Sequence, residues 1–295
     1  MSAARLWLMA ARPRTLPAAI APVLVGTAAA VEVSSEIRVG AFLAALVGSV
    51  FIQIGTNLAN DYSDAKRGAD TADRLGPVRV TSSGLVAPRR VLVATWVAFG
   101  VAVAAGIYLA TIAGPVILAV GAASILAGVL YTGGPRPYGY EGLGELFVFL
   151  FFGLVAVNGS YYVQLERLDW LPFGLSLAVG FLATAILVVN NVRDLETDRR
   201  AGKLTLAVRI GRERTRRLYA LLVAGAFVAV PVVLAAAGGP AWGLLAVLAA
   251  PLVRRPLAAV MSRTDGPSLN AALAGTGALL GAFSVLLSGG LLIAA

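Results

Sequence analysis

The hydrophobic positions of this chain fall into nine long blocks, and polar residues are concentrated in the segments between them. The blocks lie at about 15–32, 40–60, 91–113, 115–131, 146–165, 171–191, 218–237, 241–253 and 268–293. A helix needs about 20 consecutive apolar residues to cross the hydrocarbon core of a bilayer. Residues 218–253 are too long for one such helix, and Gly238-Gly239-Pro240 divides them as a tight turn would. The pattern therefore predicts an all-α integral membrane protein with nine transmembrane helices.

Composition narrows the class of protein further. Of the 295 residues, 59% are hydrophobic and 13% are charged, whereas about 25% of the residues of an ordinary soluble domain are charged. No polar region long enough for a soluble domain remains, so we expect residues 1–295 to form a single polytopic membrane domain. No small-residue cleavage site stands out near the N-terminus, which predicts that the first helix is retained. The absence of Cys and His excludes disulfides, thiolate nucleophiles and imidazole metal ligands.

The basic residues predict the orientation in the membrane. If successive loops alternate sides, one side carries all of the 24 Lys and Arg residues except Arg38 and Arg167. Because cytoplasmic loops carry an excess of Lys and Arg, we place the N-terminus and the basic loops in the cytoplasm, the C-terminus outside, and the protein in the plasma membrane. The net charge of +9 is then a signal of topology and does not indicate nucleic-acid binding.

Charged residues interrupt the apolar pattern at the end of the second block, where residues 57–70 read NLANDYSDAKRGAD. On a helix that continues through this stretch, Asn57, Asp61 and Asp64 occupy positions i, i+4 and i+7 and share one face. Such a cluster is either an ordinary solvated helix end or part of a binding site. One cluster alone does not distinguish the two.

A second cluster follows the sixth block, in the sequence VVNNVRDLETDRRAGK. Asn190, Asp194 and Asp198 at i, i+4 and i+8 again share a face. On one side of the membrane, the two faces would bring four carboxylates together, and their mutual repulsion would require a cation. Carboxylate and amide oxygens suit Mg²⁺ together with a substrate phosphate. We therefore predict a Mg²⁺ site that includes Asp61, Asp64, Asp194 and Asp198.

Basic residues flank both clusters and indicate a strongly anionic ligand such as a diphosphate. The candidates are Lys66, Arg67, Arg193, Lys203 and, at the start of the first helix, Arg12. The positive-inside rule alone would also place each of them on the cytoplasmic side, so either explanation fits these positions.

The loop after the fourth block reads YTGGPRPYGYEGLGE, residues 131–145, and its Gly and Pro residues predict turns. Tyr131, at the inner end of the fourth helix, is a candidate for stabilising a developing cation with its ring face. Tyr138 and Tyr140 fit either that role or an aromatic belt at the membrane interface. Asn158 and Gln164, in the next helix, are interpreted as helix–helix hydrogen-bonding residues.

Taken together, these strings resemble the UbiA-type intramembrane prenyltransferases. NLANDYSD and NNVRDLETD match the two aspartate-rich motifs of that superfamily, and the resemblance covers nearly the whole chain. YTGG and AGKLTLAVR, with ARPRTLP and GPVRVTSSG, are similar to the branch that prenylates 1,4-dihydroxy-2-naphthoate. The resemblance implies a UbiA-like bundle of nine helices around a lipid-open cavity.

The resemblance also implies a chemistry. Mg²⁺ held by the four Asp residues, with Asn57, Asn60 and Asn190 supporting the ligation, would bind the diphosphate of a polyprenyl diphosphate and stabilise its departure. A ring carbon of 1,4-dihydroxy-2-naphthoate would attack the resulting allyl cation, carbon dioxide would be lost, and demethylmenaquinol, the precursor of menaquinone, would form. The isoprenoid tail would lie in membrane lipid.

Two positions depart from the pattern of the superfamily. Many relatives have a further Asp four residues after the position of Asp64, where this chain has Gly68, and Asp70 is the next acid. Many also have a Lys four residues after the position of Tyr131, whereas here Arg136 follows by five. Arg136 is kept as a diphosphate-binding candidate in this shifted register.

Other interpretations remain open. The same chemistry could act on another aromatic acceptor, such as 4-hydroxybenzoate, homogentisate or haem. CDP-alcohol phosphotransferases also have Asp-rich, Mg²⁺-dependent sites, but their signature lies on one helix. A transporter or ion exchanger would be expected to place ionisable groups near the bilayer midplane, whereas the carboxylates of this chain cluster at one end of the helices.

Overall fold

The computed structural model describes residues 2–69 and 75–295, and every regular element in these two ranges is a helix. The all-α prediction is therefore confirmed for the part of the chain that the structure describes. Asp70 and Asp73, which follow the first acidic cluster, lie outside it. The helices are α1 (Ala3–Ala11), α2 (Pro17–Ser34), α3 (Val39–Lys66), α4 (Pro88–Ala113), α5 (Val116–Leu130), α6 (Gly144–Leu165), α7 (Trp170–Arg200), α8 (Leu206–Ile210), α9 (Arg212–Ala237), α10 (Ala241–Ser262) and α11 (Gly266–Ala294).

Eight of the described helices are long and apolar enough to cross a membrane, namely α2, α3, α4, α6, α7, α9, α10 and α11. The ninth predicted span is α5, which has only 15 residues and ends shortly before Gly133-Gly134-Pro135. Residues of this type favour turns, so the helix does not continue to full spanning length. Within residues 2–69 and 75–295, the predicted count of nine transmembrane helices is therefore not confirmed.

Helix α10 explains why the eighth apolar block looks short in the sequence. Its first part, Ala241–Val253, is a 3-10 helix, and the chain continues as an α-helix from Arg254 to Ser262. A 3-10 helix rises about 2.0 Å per residue, against 1.5 Å for an α-helix. The apolar residues of this block therefore cover more of the membrane than the same number would in an α-helix.

Helix α7 is the central element of the bundle. It packs against α2, α6, α9 and α11, and most of its apolar length is buried within the protein. A helix that is apolar on all sides is expected at the interior of a bundle. Leu175 and Leu182 of α7 are fully buried together with Phe283 and Leu287 of α11. The second acidic cluster thus lies on the most enclosed helix of the protein.

Small residues allow the helices to approach closely, as is typical of helix packing in membranes. A Cβ placed on Gly26 of α2 would lie 2.2 Å from the carbonyl oxygen of Val157 in α6. Gly153 and Gly180 make a similar backbone contact between α6 and α7. Helix α6 contains a π-helical segment at Phe149–Val155 next to this contact, and such segments are frequent at functional sites.

Helices α3 and α7 both continue beyond their apolar parts, to Lys66 and to Arg200. The prediction that each acidic cluster lies on a continuing helix is therefore confirmed. Residues 75–87 follow the first cluster, and Val80 and Val86 of this segment are buried with Leu58 of α3. This packing holds the segment against the end of α3, where it supplies a basic side chain to the site.

Candidate active site

A cavity of about 340 Å³ lies among the helices from α2 to α7. One end is lined by acidic, basic and amide side chains, including Asn60, Asp64, Arg79, Asp194, Asp198 and Lys203. Apolar side chains such as Leu109, Ile117 and Val163 line the rest. Because the lining residues Ala45 and Asp64 lie near opposite ends of α3, the cavity follows most of the length of that helix. The cavity therefore consists of a charged end and a long apolar body.

Asp64 is the centre of the charged end. Its side chain is 2% exposed, and Arg79 Nη2 and Lys203 Nζ lie 3.0 Å and 3.3 Å from its Oδ2 atom. The hydroxyl of Tyr140 donates a hydrogen bond of 2.6 Å to its Oδ1 atom. Two cations thus balance the charge of one buried carboxylate, and a phenol donates a hydrogen bond to it. Arg79, Lys203 and Tyr140 all line the cavity.

Asp61 is bonded to backbone groups of the segment that follows α3. Its carboxylate accepts hydrogen bonds from the backbone N–H groups of Thr81 at 2.9 Å and of Val80 at 3.1 Å. Asp61 is 2% exposed, and both of its oxygens are directed to the segment that carries Arg79. The side chain therefore fixes residues 79–81 against α3, and its place among the metal ligands stays a prediction.

The two Asn residues of the first cluster also have different hydrogen-bond partners. The amide of Asn57 donates to the carbonyl of Ala11 at 3.0 Å and ties α1 to α3. The amide oxygen of Asn60 accepts a hydrogen bond of 2.8 Å from the hydroxyl of Thr132. Both line the cavity, and both share a helical face with Asp64, since they lie seven and four residues before it.

Arg193 holds the second cluster together. Its side chain is 1% exposed. Its Nε and Nη2 atoms donate hydrogen bonds of 2.8 Å and 2.6 Å to the two carboxylate oxygens of Asp194. Nη2 also donates to the amide oxygen of Asn190 at 2.7 Å. Its Nη1 atom donates to Asn270 of α11 at 2.8 Å, and the amide of Asn270 donates to the carbonyl of Leu75. These contacts enclose the guanidinium in the protein. The guanidinium therefore orients Asp194 and Asn190, and its contact with a diphosphate stays a prediction.

The remaining basic candidates differ in their access to the cavity. Lys203 and Arg12 line it, and Lys203 Nζ also lies 4.8 Å from the centroid of the Tyr140 ring. Lys66, Arg67 and Arg136 are exposed side chains outside the lining. Arg67 donates to the carbonyl of Gly134 and thereby connects the end of α3 to the loop after α5. The structure brings two of the six candidates to the cavity.

Aromatic side chains form one wall of the cavity beside the charged end. Tyr131 and Tyr138 meet edge to face with ring centroids 5.5 Å apart, and Phe147 stacks on Tyr138 at 4.0 Å. The hydroxyl of Tyr138 donates to the carbonyl of Ala127, and burial raises the pKa of Tyr138 above that of an ordinary phenol. Tyr138 is thus held as a neutral ring that lines the cavity beside Tyr131.

The donor set has the chemistry that Mg²⁺ prefers. Asn60, Asp64, Asn190, Asp194 and Asp198 line one cavity and offer carboxylate and amide oxygens. Among the residues that the structure describes, however, no three acidic side chains lie close enough to share a metal ion. The charges on Asp64 and Asp194 are balanced by Arg and Lys side chains instead. These residues fit Mg²⁺ because their side chains offer oxygen ligands and because they line the same cavity.

Three residues of the site were not singled out from the sequence. Arg79 lies within GPVRVTSSG, and nothing local marks it as a partner of Asp64. Asn191 and Glu145 are hydrogen-bonded to each other at 2.8 Å, although they lie on α7 and α6. The signal that could have found Glu145 is its position as a carboxylate beside an apolar block, since such residues are rare within membranes.

The fold and the cavity define the class of protein. A polytopic helical bundle that encloses acids and cations at one end of an apolar cavity is the arrangement expected of an intramembrane prenyltransferase. The model of the UbiA prenyltransferase family matches residues 19–274. The chain therefore belongs to the UbiA prenyltransferase family and is a multi-pass membrane protein, as the sequence motifs implied.

Relatives and solved structures agree with this assignment. The 1,4-dihydroxy-2-naphthoate octaprenyltransferase of Mycobacterium tuberculosis is 46% identical over 285 residues, which are 97% of this chain and 96% of that protein. The protein of the same name from Escherichia coli is 38% identical and covers 95% and 93%. A UbiA homolog from Archaeoglobus fulgidus bound to GPP and Mg²⁺ has the same fold, with a TM-score of 0.62 at 15% identity over 96% of this chain and 99% of that one. The apo UbiA homolog from Aeropyrum pernix K1 reaches a TM-score of 0.70 at 13% identity, over 93% and 97%.

Proposed function

We propose that this protein transfers a polyprenyl group from polyprenyl diphosphate to 1,4-dihydroxy-2-naphthoate, with loss of carbon dioxide, to give demethylmenaquinol in menaquinone biosynthesis. The observation that carries the proposal is the cavity itself, in which a charged end that suits a diphosphate continues into an apolar body that suits an isoprenoid tail. The choice of acceptor is supported by the relatives named for 1,4-dihydroxy-2-naphthoate, which extend over nearly the whole chain.

Arg79 and Lys203 are the cations that we assign to the diphosphate. Both line the cavity, both are at least nine-tenths buried, and both lie next to Asp64. Arg12 lines the same cavity from the other side of the first cluster. Buried cations stabilise a leaving anion more strongly than exposed ones, because little water screens the interaction. Lys66, Arg67 and Arg136 are left as exposed residues that attract the anionic substrate to the entrance.

Asp64, Asp194 and Asp198 would hold Mg²⁺, with support from Asn60 and Asn190. The metal, when bound, would neutralise charge that develops on the departing diphosphate. Arg193 keeps Asp194 and Asn190 in place for this ligation through its hydrogen bonds to both. Asp61 contributes indirectly, since it holds the segment that carries Arg79.

The aromatic wall favours the electrophile that the reaction requires. As the C–O bond of the donor breaks, its electron pair leaves with the diphosphate and an allyl cation remains. Tyr131 and Tyr138 line the cavity next to the charged end, and aromatic rings attract cations through their faces. The apolar body of the cavity keeps water away from the cation until a ring carbon of the naphthoate bonds to it.

The same proposal includes the placement of the protein in the cell. We propose a single polytopic domain of residues 1–295 in the plasma membrane, with the N-terminus and the charged end of the cavity on the cytoplasmic side. The apolar body of the cavity would open to lipid, from which the polyprenyl tail enters. The basic loops support this orientation through the positive-inside rule.

The test is a reconstituted assay with purified protein, radiolabelled polyprenyl diphosphate, Mg²⁺ and several acceptors in parallel. We expect prenylated product with 1,4-dihydroxy-2-naphthoate, release of carbon dioxide, and no product after removal of divalent cations with EDTA until Mg²⁺ is restored. Turnover of 4-hydroxybenzoate or homogentisate in place of the naphthoate would contradict the proposed acceptor. Full turnover in metal-free buffer would contradict the metal site.

A further inference from the structure

Glu145 is a buried carboxylate that the proposed mechanism does not use. It lies in the first turn of α6 and is 7% exposed. Its Oε1 atom accepts a hydrogen bond of 2.8 Å from Nδ2 of Asn191 in α7, whereas its Oε2 atom is buried without a hydrogen-bond partner among the described residues. Ionisable groups within membrane segments are costly and are usually found at functional sites.

The contact with Glu145 fixes the orientation of Asn191. Asn191 donates through Nδ2 to Glu145 Oε1, so the NH₂ group of its amide faces Glu145. Asn191 lines the cavity and is 4% exposed. Its amide oxygen is therefore the atom that remains available to the cavity, and that atom is a hydrogen-bond acceptor. The pair thus offers a fixed acceptor to whatever molecule occupies this part of the site.

The two substrates differ in whether they can donate a hydrogen bond to the amide oxygen of Asn191. A diphosphate is an anion without hydrogens to donate, and the isoprenoid tail has no polar groups. Neither can donate a hydrogen bond to the amide oxygen of Asn191. A phenolic hydroxyl satisfies this acceptor directly.

The surroundings of the pair suit an aromatic molecule. Tyr131 packs against the residue before Glu145, since a Cβ on Gly144 would lie 3.2 Å from a carbon of the Tyr131 ring. Phe147, two residues after Glu145, also lines the cavity and stacks on Tyr138. Aromatic pairs gain energy beyond their area of contact. An aromatic ring that bears a hydroxyl is the molecule that this corner of the cavity would take.

We propose that Asn191, oriented by Glu145, binds the aromatic acceptor by accepting a hydrogen bond from one of its hydroxyl groups. Asn191 is the binding residue and Glu145 is a positioning residue. The inference rests on the proposed function, since it concerns the second substrate of the same site. A hydrogen bond that draws on the phenolic proton also adds electron density to the ring and makes it a better nucleophile.

The experiment measures the two substrates separately in purified enzyme. For Asn191→Ala we expect the KM for 1,4-dihydroxy-2-naphthoate to rise about ten- to a hundredfold, the range expected when one buried hydrogen bond is lost, with the KM for polyprenyl diphosphate unchanged within about twofold. Equilibrium binding of radiolabelled naphthoate without donor and without metal should weaken by the same factor. Asn191→Ser, which keeps a small polar side chain, replaces the Ala variant if that variant fails to fold.

Glu145→Gln and Glu145→Leu test the positioning role. Gln still has an oxygen for the Asn191 amide, so we expect a smaller increase in the KM for the acceptor than with Leu, which leaves the amide unheld. A methyl ether of the naphthoate hydroxyls should bind wild-type enzyme much more weakly than the parent compound, and Asn191→Ala should lose most of this discrimination. A purely structural role would lower the thermal stability and affect both substrates alike.

Asn158→Ala is the matched control, because Asn158 is also an intramembrane Asn but its amide only donates to Leu154 within its own helix. Neither KM should change in this variant. An increase confined to the KM for polyprenyl diphosphate, or a changed Mg²⁺ requirement, in Asn191→Ala would overturn the inference and assign the residue to the diphosphate end. If wild-type enzyme prefers another phenolic acceptor, the proposed function fails, and the same variants tested with that acceptor still decide the role of Asn191.

Discussion

Asp64 and Asp61 show how neighbouring acids on one helix acquire different roles. Asp64 lines the cavity and is bonded to side chains from three other segments, whereas Asp61 is bonded to two backbone N–H groups of residues 79–81. Both carboxylates are buried, and each has the partners that a buried charge requires. The difference lies in the partners, because Asp61 is bonded to backbone N–H groups whereas the side chains that contact Asp64 also line the cavity.

Replacement of Asp64 or Asp194 by Asn should lower the rate of prenyl transfer by about 10²–10³, which is typical of the loss of one strong electrostatic stabiliser. The substitution keeps the shape of the side chain but removes a charge that balances buried Arg or Lys side chains, so the thermal midpoint should also fall, and rates are compared at equal amounts of folded protein. The measurement is kcat in the reconstituted assay at saturating substrates and Mg²⁺.

Asp265→Asn is a suitable control for these variants, since Asp265 caps the start of α11 outside the cavity and Asn is an equally good helix cap. Asp61→Asn should lose less activity than Asp64→Asn, because an amide oxygen still accepts one of the two backbone hydrogen bonds. Near-normal activity in Asp64→Asn or Asp194→Asn would contradict the proposal that both acidic clusters contribute to the active site.

Arg193→Met should destabilise the protein strongly, because it removes the charge and the two hydrogen bonds that Arg193 offers to the buried Asp194 carboxylate. Breaking a buried ion pair in this way costs about 3–5 kcal/mol. The measurement is the thermal unfolding midpoint of the purified protein in detergent. Arg199→Met on the same helix breaks an exposed ion pair with Glu196, so its midpoint should not change. A stable Arg193→Met enzyme with only a higher KM for polyprenyl diphosphate would instead indicate that Arg193 binds the diphosphate directly.

At the scale of the helices, the site depends on how closely α2, α6 and α7 pack. The glycine contact between α2 and α6 brings two backbones together, and the contact between α6 and α7 lies beside the π-helical segment that contributes Phe151 and Val155 to the cavity wall. The same two helices carry Glu145 and Asn191, so their spacing also sets the geometry of that pair.

Gly26→Ala should lower the stability of the protein by about 1–3 kcal/mol, the usual cost of overpacking a close contact. A Cβ at this position would lie 2.2 Å from the Val157 carbonyl oxygen and 2.9 Å from Cβ of Ser160, so the two helices would have to separate. Thermal unfolding in detergent measures the effect. Gly100→Ala on α4 is the matched control, because no atom lies within 4 Å of its Cβ. Equal midpoints for the two variants would show that α2 and α6 do not depend on this contact.

At the scale of the whole molecule, the orientation in the membrane decides which substrates reach the charged end of the cavity. Cysteines introduced at Ala69 and Ala201 should react with an impermeant thiol reagent only from the cytoplasmic side, and a cysteine at Ser35 only from outside. The native chain contains no Cys, so the parent protein is the background control. Labelling of the Ala69 and Ala201 variants from opposite sides would contradict a site shared by the two clusters.

The sequence by itself determined the class of fold and the location of the site. The apolar blocks predict membrane helices because hydrophobic transfer depends on local composition, and the i, i+4 spacing of Asn and Asp identifies the two helix ends that line the cavity. The number of spans does not follow from hydrophobicity alone, because α5 stops at Leu130 and α10 begins as a 3-10 helix.

Only the tertiary structure decided which polar side chain contacts which. Helical periodicity tells which residues share a face, but not which neighbour covers that face. The pairs Asp61 with Val80 and Thr81, Asp64 with Arg79 and Lys203, and Asn191 with Glu145 join segments that are distant in the sequence. Such contacts form only when whole helices pack, since each polar group must find a partner once water is excluded.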